Sequence, residues 1–270
     1  MKTFRQVLWE AIRHFAENGF TSGPELADWM HRLRTAADYT LPPEDVTHAR
    51  IRREFETIFA RTTKHKNLIK RVPGVSRYTI ERVKPHLRAE LDRRILAATD
   101  LIRLNRDAAI QKTLQRFSGW STAIPAGALT DAEKRDAAKD IGKGIAQAKF
   151  EQRRVAIDQG HKLMANVADI VAREDGAIAA IWHSHWRQKN YDYREDHKER
   201  DEHVYLIRDS WAHQIGLVKK GKVGYLDDIT QPGQEPFCRC FCEYVTSLNR
   251  LPEDMLTKKG REALADMRAA

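Results

Sequence analysis

All three cysteines of the chain fall within five residues, in the run Cys238-Arg239-Cys240-Phe241-Cys242. A disulfide framework needs cysteines that are spread along the chain, so this spacing favours free thiols or metal ligands over disulfide bonds. The 270 residues must therefore be held together mainly by an apolar core. A hydrophobic content of 41% is sufficient for such a core.

Most of the chain has the apolar spacing of amphipathic helices. Helices are predicted over residues 3–18, from the capping box at Ser22 and Glu25, from about Glu44, over 79–117, and from the capping box at Thr130 and Glu133 to about residue 173. A terminal helix is predicted from about residue 251 to 267.

The periodicity changes after Gly176. Apolar and polar residues alternate over 178–186, which is typical of a strand, and short strands are also predicted at 204–207 and 237–245. In the last of these strands Cys238, Cys240 and Cys242 would share one face. We therefore predict a predominantly helical α+β fold, in which a long helix is followed by a small sheet that closes around the Cys-x-Cys strand.

Positive charge is concentrated in the first half of the chain. The formal net charge is +9, and residues 48–94 alone carry 14 basic and 5 acidic residues. A linker at 118–127 coincides with the change in charge balance, so we predict a basic helical module over residues 1–120 and a second domain over 121–270.

The basic module is expected to contact DNA or an acidic partner, although a solvated helical surface remains the alternative. The residues expected to make this contact are Arg50, Arg52, Arg53, Arg61, Lys64, Lys66, Lys70 and Arg71.

The cysteines and nearby histidines form a candidate zinc site, because thiolate and imidazole together suit zinc. The candidate ligands are Cys238, Cys240, Cys242, His197, His183 and His185. The spacing fits no standard zinc motif, so three buried thiols beside hydrogen-bonded histidines remain the alternative interpretation.

The segment Asp192-x-Arg194-x-x-His197 contains groups that are used in acid–base catalysis. An enzyme that uses these three residues, either a nuclease or an ADP-ribosyltransferase-like protein, is therefore one alternative function. The surrounding run of charged residues is more typical of a solvated face, and we expect no catalytic role.

The order of these features resembles the Mu F-like head morphogenesis family, the minor head proteins of tailed double-stranded DNA phages. The resemblance covers roughly residues 130–245 and rests on an aromatic strand, then Asp192, Arg194 and His197, then a Pro-Gly turn, and then Cys238-Arg239-Cys240. The chain has Phe237 where the family commonly has asparagine, it lacks the family's usual Asp-Gly turn after the histidine, and Cys242 is additional.

The resemblance implies a non-enzymatic virion component that is made in the host cytoplasm and lies at the portal vertex or capsid interior. Its partners would be the portal protein, capsid proteins and double-stranded DNA, and it would act in head morphogenesis and in DNA packaging or delivery. A zinc-stapled nucleic-acid-binding protein without a virion role is a further alternative.

Two absences in the sequence bear on location. The chain contains no run of about 18 apolar residues, so no membrane partner is expected. Charged residues interrupt the N-terminal segment too early for a secretory signal, so we expect the protein to act inside a cell or in a particle assembled there.

Overall fold

A computed structural model describes residues 2–269. The fold is predominantly helical and contains a small antiparallel sheet. The helices are α1 (Phe4–Asn18), α2 (Gly23–Thr40), α3 (Glu44–Thr62), α4 (His65–Leu68), α5 (Arg77–Ala123), α6 (Asp131–Glu174), α7 (Glu195–Glu199), α8 (Trp211–Gln214) and α9 (Lys258–Ala269), and the strands are β1 (Ala179–His183), β2 (Val204–Leu206) and β3 (Phe241–Val245).

The predicted helix starts are explained by local capping. The Ser22 hydroxyl accepts a hydrogen bond from the Glu25 backbone N–H at 3.3 Å, which satisfies a donor at the start of α2. At the start of α6, the Glu133 carboxylate accepts hydrogen bonds from the Thr130 backbone N–H and hydroxyl. The boundaries of α1, α2, α3 and α6 thus agree closely with the sequence prediction.

The chain divides into two compact units, each built from two segments. The first comprises Met1–Arg52 and Leu96–Ala156, and the second comprises Arg53–Ile95 and Ile157–Ala270. Residues on both sides of the predicted linker at 118–127 belong to the first unit. The structure continues α5 to Ala123, so Ser118, Gly119 and Trp120 are helical rather than part of a linker.

The first unit has a core between α1, α2 and parts of α5 and α6. Phe15 and Phe117 are fully buried, with ring centroids 5.6 Å apart in an edge-to-face arrangement. Leu33, Ile110, Ile141 and several alanines complete this core.

The second unit contains the sheet, whose strand order is β2-β1-β3. Ala180 of β1 pairs with Tyr205 of β2 and with Tyr244 of β3, and both pairings are antiparallel. The outer edge of β3 is covered locally, because the Tyr244 backbone N–H donates to the Arg71 carbonyl at 2.7 Å.

A buried polar network joins the segments of the second unit. The Glu90 side chain is 6% exposed and accepts hydrogen bonds from Arg94 at 2.7 Å and from Asn166 at 2.8 Å. Nearby, the buried Tyr244 hydroxyl donates to Asp169 at 3.0 Å. These contacts satisfy polar groups that would otherwise be costly to bury.

The sheet is shorter than the sequence predicted. β3 begins at Phe241, so Cys238 and Cys240 precede the strand and only Cys242 lies within it. All three cysteines are buried while Arg239 is exposed, so the alternating burial persists in an extended segment outside the sheet. The terminal helix also starts later than expected, after two 3-10 turns.

No helix within residues 2–269 has the length and apolar character needed to span a membrane.

Candidate metal centre

His197, Cys238 and Cys240 form a buried cluster, here called the Cys-His cluster. Their potential ligand atoms all lie within 4.8 Å of one another. The Nδ1 atom of His197 is 3.6 Å from the Cys238 sulfur and 3.6 Å from the Cys240 sulfur. The imidazole is only 2% exposed.

These distances fit a tetrahedral metal ion. Zinc–sulfur bonds of about 2.3 Å and zinc–nitrogen bonds of about 2.0 Å at a tetrahedral angle place nitrogen and sulfur about 3.5 Å apart, close to the separations seen here. Both sulfurs satisfy this separation from the same imidazole nitrogen. The three side chains can therefore supply three of the four ligands of a tetrahedral metal ion with little rearrangement.

Backbone geometry brings the two cysteines together. Cys238 and Cys240 lie two residues apart in the irregular segment before β3, and both are buried while Arg239 between them is exposed. His197 comes from the single turn of α7, 41 residues before Cys238. The cluster therefore joins two parts of the chain that carry little regular structure of their own.

Hydrogen bonds and the neighbouring imidazole favour the thiolate of Cys238. The pKa of Cys238 is lowered to about 6, mainly because the Cys240 thiol donates to its sulfur, with help from the backbone N–H groups of Gly233 and Cys240. The pKa of Cys240 is raised by the same pairing, since this thiol keeps its proton while Cys238 ionises. Metal binding would require the second proton to leave as well.

Arg194 and Glu235 hold the opposite side of the imidazole. The Arg194 Nε atom is 2.6 Å from the Glu235 carboxylate, and the Arg194 guanidinium also donates to the Pro236 carbonyl at 3.1 Å. The same carboxylate is 3.7 Å from His197 Nε2, a buried atom without a hydrogen-bond partner within residues 2–269. A carboxylate beside the distal nitrogen is typical of metal-bound histidines, because it orients the ring.

The remaining candidate ligands lie outside the Cys-His cluster. The His183 ring stacks on Phe241 with centroids 4.9 Å apart, and His185 also contacts this ring. Burial raises the pKa of the Cys242 thiol, which is therefore protonated and chemically inert. Of the six predicted ligands, the structure brings together His197, Cys238 and Cys240.

The residues that carry the family resemblance, here called the signature residues, take different positions in the structure; they are Asp192, Arg194, His197, Cys238, Arg239 and Cys240. Arg194 pairs with Glu235, whose carboxylate lies beside His197, while Asp192 and Arg239 are exposed. Glu235 was not identified from the sequence, although a carboxylate three residues before Cys238 was a signal for it. Ser184, whose hydroxyl is 3.8 Å from the Cys240 sulfur, was also not identified from the sequence.

The predicted DNA-contacting residues divide between the two units. Arg50 and Arg52 are exposed in the first unit, where Arg50 donates to Gln152. In the second unit, the exposed residues are Arg53, Arg61, Lys64, Lys66 and Lys70. Arg71 differs, because its half-buried guanidinium lies 3.1 Å from the centroid of the Phe241 ring, and burial lowers its pKa to about 10.

Comparison of the chain with models of protein families, with curated proteins and with solved structures found no match.

Proposed function

We propose that the chain is a minor head protein of a tailed double-stranded DNA phage, with a Mu F-like domain that is stapled by zinc. One observation carries this proposal: four signature residues that are distant in sequence, Arg194, His197, Cys238 and Cys240, meet at one site, and its three potential metal ligands are buried. Arg194 contacts Glu235, Glu235 faces His197, and His197 faces Cys238 and Cys240. Such an arrangement gives the signature a structural role.

Zinc is the metal that best fits this site. Two thiolates and one imidazole are ligands for zinc rather than for calcium or magnesium, which bind oxygen. The ion would tie α7 to the segment before β3, in a part of the second unit that is dominated by loops and short helices. A metal ion often supplies the folding free energy that such a region lacks.

Metal analysis of the purified protein tests the zinc proposal. We expect about one zinc ion per chain by mass spectrometry of the digested protein, and loss of that zinc in Cys238→Ser and Cys240→Ser. Cys242→Ser is the matched control, because Cys242 is a buried thiol outside the Cys-His cluster. Zinc-free protein that remains folded would contradict this part of the proposal.

The second unit also offers positive charge to DNA. Arg61, Lys64, Lys66 and Lys70 are exposed, and none forms a salt bridge with a carboxylate in the part of the chain that the structure describes. By contrast, Arg88, Arg93 and Arg94 on α5 are all paired with carboxylates. Unpaired cations release counterions when they neutralise phosphates, which supports binding of the duplex backbone.

Replacing these four residues with glutamate tests the DNA contact. We expect the variant to bind duplex DNA at least tenfold more weakly, with a shallower dependence of affinity on salt, as measured by fluorescence anisotropy. The charge-reversed control is Arg88→Glu, at a paired site. Duplex binding by the unmodified protein that does not respond to salt would contradict the DNA contact.

Location in the virion needs its own experiment. Particles purified from a lysate should contain the chain at low copy number, and a phage lacking its gene should form defective heads. Complementation with the unmodified gene should restore infectivity, while Cys238→Ser should not. Normal particles in the absence of the gene would exclude a role in head assembly.

A further inference from the structure

A loop and a neighbouring segment of the second unit present aromatic rings beside cations. The loop between β1 and α7 carries Trp186 and Tyr191, and the segment before β3 carries Phe237. The Arg187 guanidinium lies 4.7 Å from the Trp186 ring centroid, and the Arg239 guanidinium lies 5.1 Å from that of Tyr191. We call the set Trp186, Arg187, Lys189, Tyr191, Phe237 and Arg239 the aromatic–basic surface.

Two rings of this surface, those of Trp186 and Tyr191, are held by hydrogen bonds. Trp186 donates its indole N–H to the Asp201 carboxylate at 2.9 Å, and the same carboxylate accepts from the Ser184 backbone N–H at 2.7 Å. The Tyr191 hydroxyl donates to the Phe237 carbonyl at 3.3 Å and accepts from the Arg239 backbone N–H at 3.2 Å. Rings that are already ordered lose little conformational entropy when a ligand stacks on them.

Phe237 occupies a backbone conformation that is unusual for phenylalanine. Its φ is 62°, in the left-handed region that glycine and asparagine tolerate better. The side chain is nevertheless 44% exposed, so burial in the core does not account for its presence. Strained backbone and exposed aromatic surface together are typical of a binding site.

The cations of the surface form no salt bridges, although the charge of Arg187 acts on the Asp201 carboxylate that holds Trp186. Arg187, Lys189 and Arg239 are exposed, and none forms a salt bridge with any carboxylate between residues 2 and 269. The charge also affects a neighbouring histidine. Burial is the largest cause that lowers the pKa of His185, and the charges of Arg71 and Arg239 are the next two. The surface therefore attracts anions.

Arg208 shows the opposite arrangement in the same unit. Its guanidinium lies 3.8 Å from the Tyr225 ring centroid, a closer pairing than those above. Two carboxylates neutralise it, Asp227 at 2.9 Å and Asp228 at 2.6 Å. An arginine over a ring is thus not by itself an anion site, and Arg208 provides an internal control.

We propose that the aromatic–basic surface binds single-stranded nucleic acid. Unpaired bases would stack on the faces of Trp186, Tyr191 and Phe237, and phosphates would contact Arg187, Lys189 and Arg239. Stacking of bases on aromatic side chains, next to cations that follow the backbone, is the usual way in which proteins bind single strands. A duplex buries its base faces and would leave the rings unused, and an acidic peptide would use the cations alone.

Binding of a fluorescein-labelled oligothymidine of about 20 nucleotides to the full-length protein tests this proposal. We expect Arg187→Gln/Arg239→Gln to weaken binding about tenfold at low salt. Arg208→Gln, which removes a neutralised arginine, should change it less than about twofold. Equal affinity of the unmodified protein and the double variant for the oligonucleotide would overturn the proposal.

A stacking variant separates base recognition from charge attraction. Phe237→Leu keeps an apolar side chain and leaves the cations intact, so it should weaken oligothymidine binding and leave binding of a polyglutamate peptide of similar length unchanged. If polyglutamate binds as tightly as oligothymidine and responds equally to the arginine replacements, the surface recognises acidic peptides and the proposal fails. Thermal unfolding of each variant checks that the fold is retained.

The single-strand surface can fail independently of the duplex contact proposed above. The glutamate variant at Arg61, Lys64, Lys66 and Lys70 should lose duplex binding and keep oligothymidine binding. The double variant at Arg187 and Arg239 should show the reverse pattern. If the four-glutamate variant alone abolishes oligothymidine binding, the single strand uses those basic residues and not the aromatic–basic surface.

Discussion

At the scale of single residues, the signature residues are brought together by contacts between side chains that are far apart in the sequence. Arg194 holds Glu235, which lies beside the distal nitrogen of His197, and this explains the spacing of arginine and histidine by three residues. Arg194 is the N-cap residue of α7 and His197 lies within that helix, and both side chains contact the segment that contains Cys238 and Cys240. Arg194 is therefore a positioning residue for the Cys-His cluster.

Replacement of Glu235 by glutamine should weaken zinc binding. Loss of the carboxylate beside a metal-bound histidine typically reduces metal affinity about 10- to 100-fold. Chelator competition measures the change. Glu195→Gln is the matched control, because Glu195 is exposed and pairs with Lys198, and it should retain the affinity of the unmodified protein. Equal affinity of both variants would exclude the orienting role of Glu235.

Replacement of Phe237 by asparagine should stabilise the protein. The left-handed backbone at residue 237 costs a branched or bulky residue about 1 kcal/mol more than asparagine. Chemical denaturation should show a gain in the free energy of unfolding of about that size. Phe150→Asn, at an exposed phenylalanine within α6, should bring no such gain, because the two residues have similar helix propensities and the change removes the contact of the Arg154 guanidinium with the ring.

Acidification should destabilise the protein through His161. Burial, together with the charge of Arg239, lowers the pKa of His161 below its ordinary value of 6.5. Below pH 6.5 the unfolded chain therefore binds a proton more readily than the folded chain. The contribution of His161 to stability is fully present above pH 6.5 and is lost as the pH falls below it. The free energy of unfolding, measured by denaturation across this pH range, should change less with pH in His161→Gln than in His31→Gln, since His31 is exposed.

At the scale of elements, helices were predicted better than strands. The apolar spacing and capping residues that define α1 and α2 are local, and the structure agrees with them. The sequence cannot reveal where strand pairing stops, because that depends on the partner strand. Cys238 and Cys240 alternate in burial like strand residues, yet β1 offers no partner beyond the pairing of His183 with Phe241.

The buried Glu90 on α5 should be the element contact that is most sensitive to mutation. Glu90→Ala would leave Arg94, whose side chain is 14% exposed, without its carboxylate. Loss of one partner from a buried pair costs about 3 kcal/mol. Thermal unfolding should show a clear drop for Glu90→Ala and a small one for Glu81→Ala, which removes an exposed partner of Lys84 on the same helix. Similar drops in thermal stability for both variants would show that burial does not make the pairing of Glu90 with Arg94 more important for stability than an exposed pair.

At the scale of the whole molecule, the fold class was predictable but the composition of the units was not. A helical chain with a small sheet followed from periodicity and composition, and the structure has that architecture. The units combine Arg53–Ile95 with Ile157–Ala270 and place Leu96–Ala156 with the N-terminal segment. No sequence signal marks these divisions, because the apolar stripe of α5 continues through residue 95 without a break.

A fragment of residues 121–270 should not fold cooperatively. It lacks Leu87, Leu91 and Glu90, which are buried residues of the second unit, and it also lacks the Arg71 carbonyl that pairs with β3. Circular dichroism should show helix without a sharp thermal transition, in contrast to the full chain. A cooperative transition in the fragment would support the boundary near residue 120 that charge balance predicted.

A zinc ion in the Cys-His cluster would also set which part of the molecule opens first. His197 and Cys238 enclose a 41-residue span, and a cross-link of that length removes about 4 kcal/mol of chain entropy from the open state. With zinc bound, the part of this span that follows β2 would resist proteases as strongly as the sheet does. After chelation this span should be cleaved early while α5 and α6 stay intact, so metal content would govern the lifetime of the protein as well as its shape.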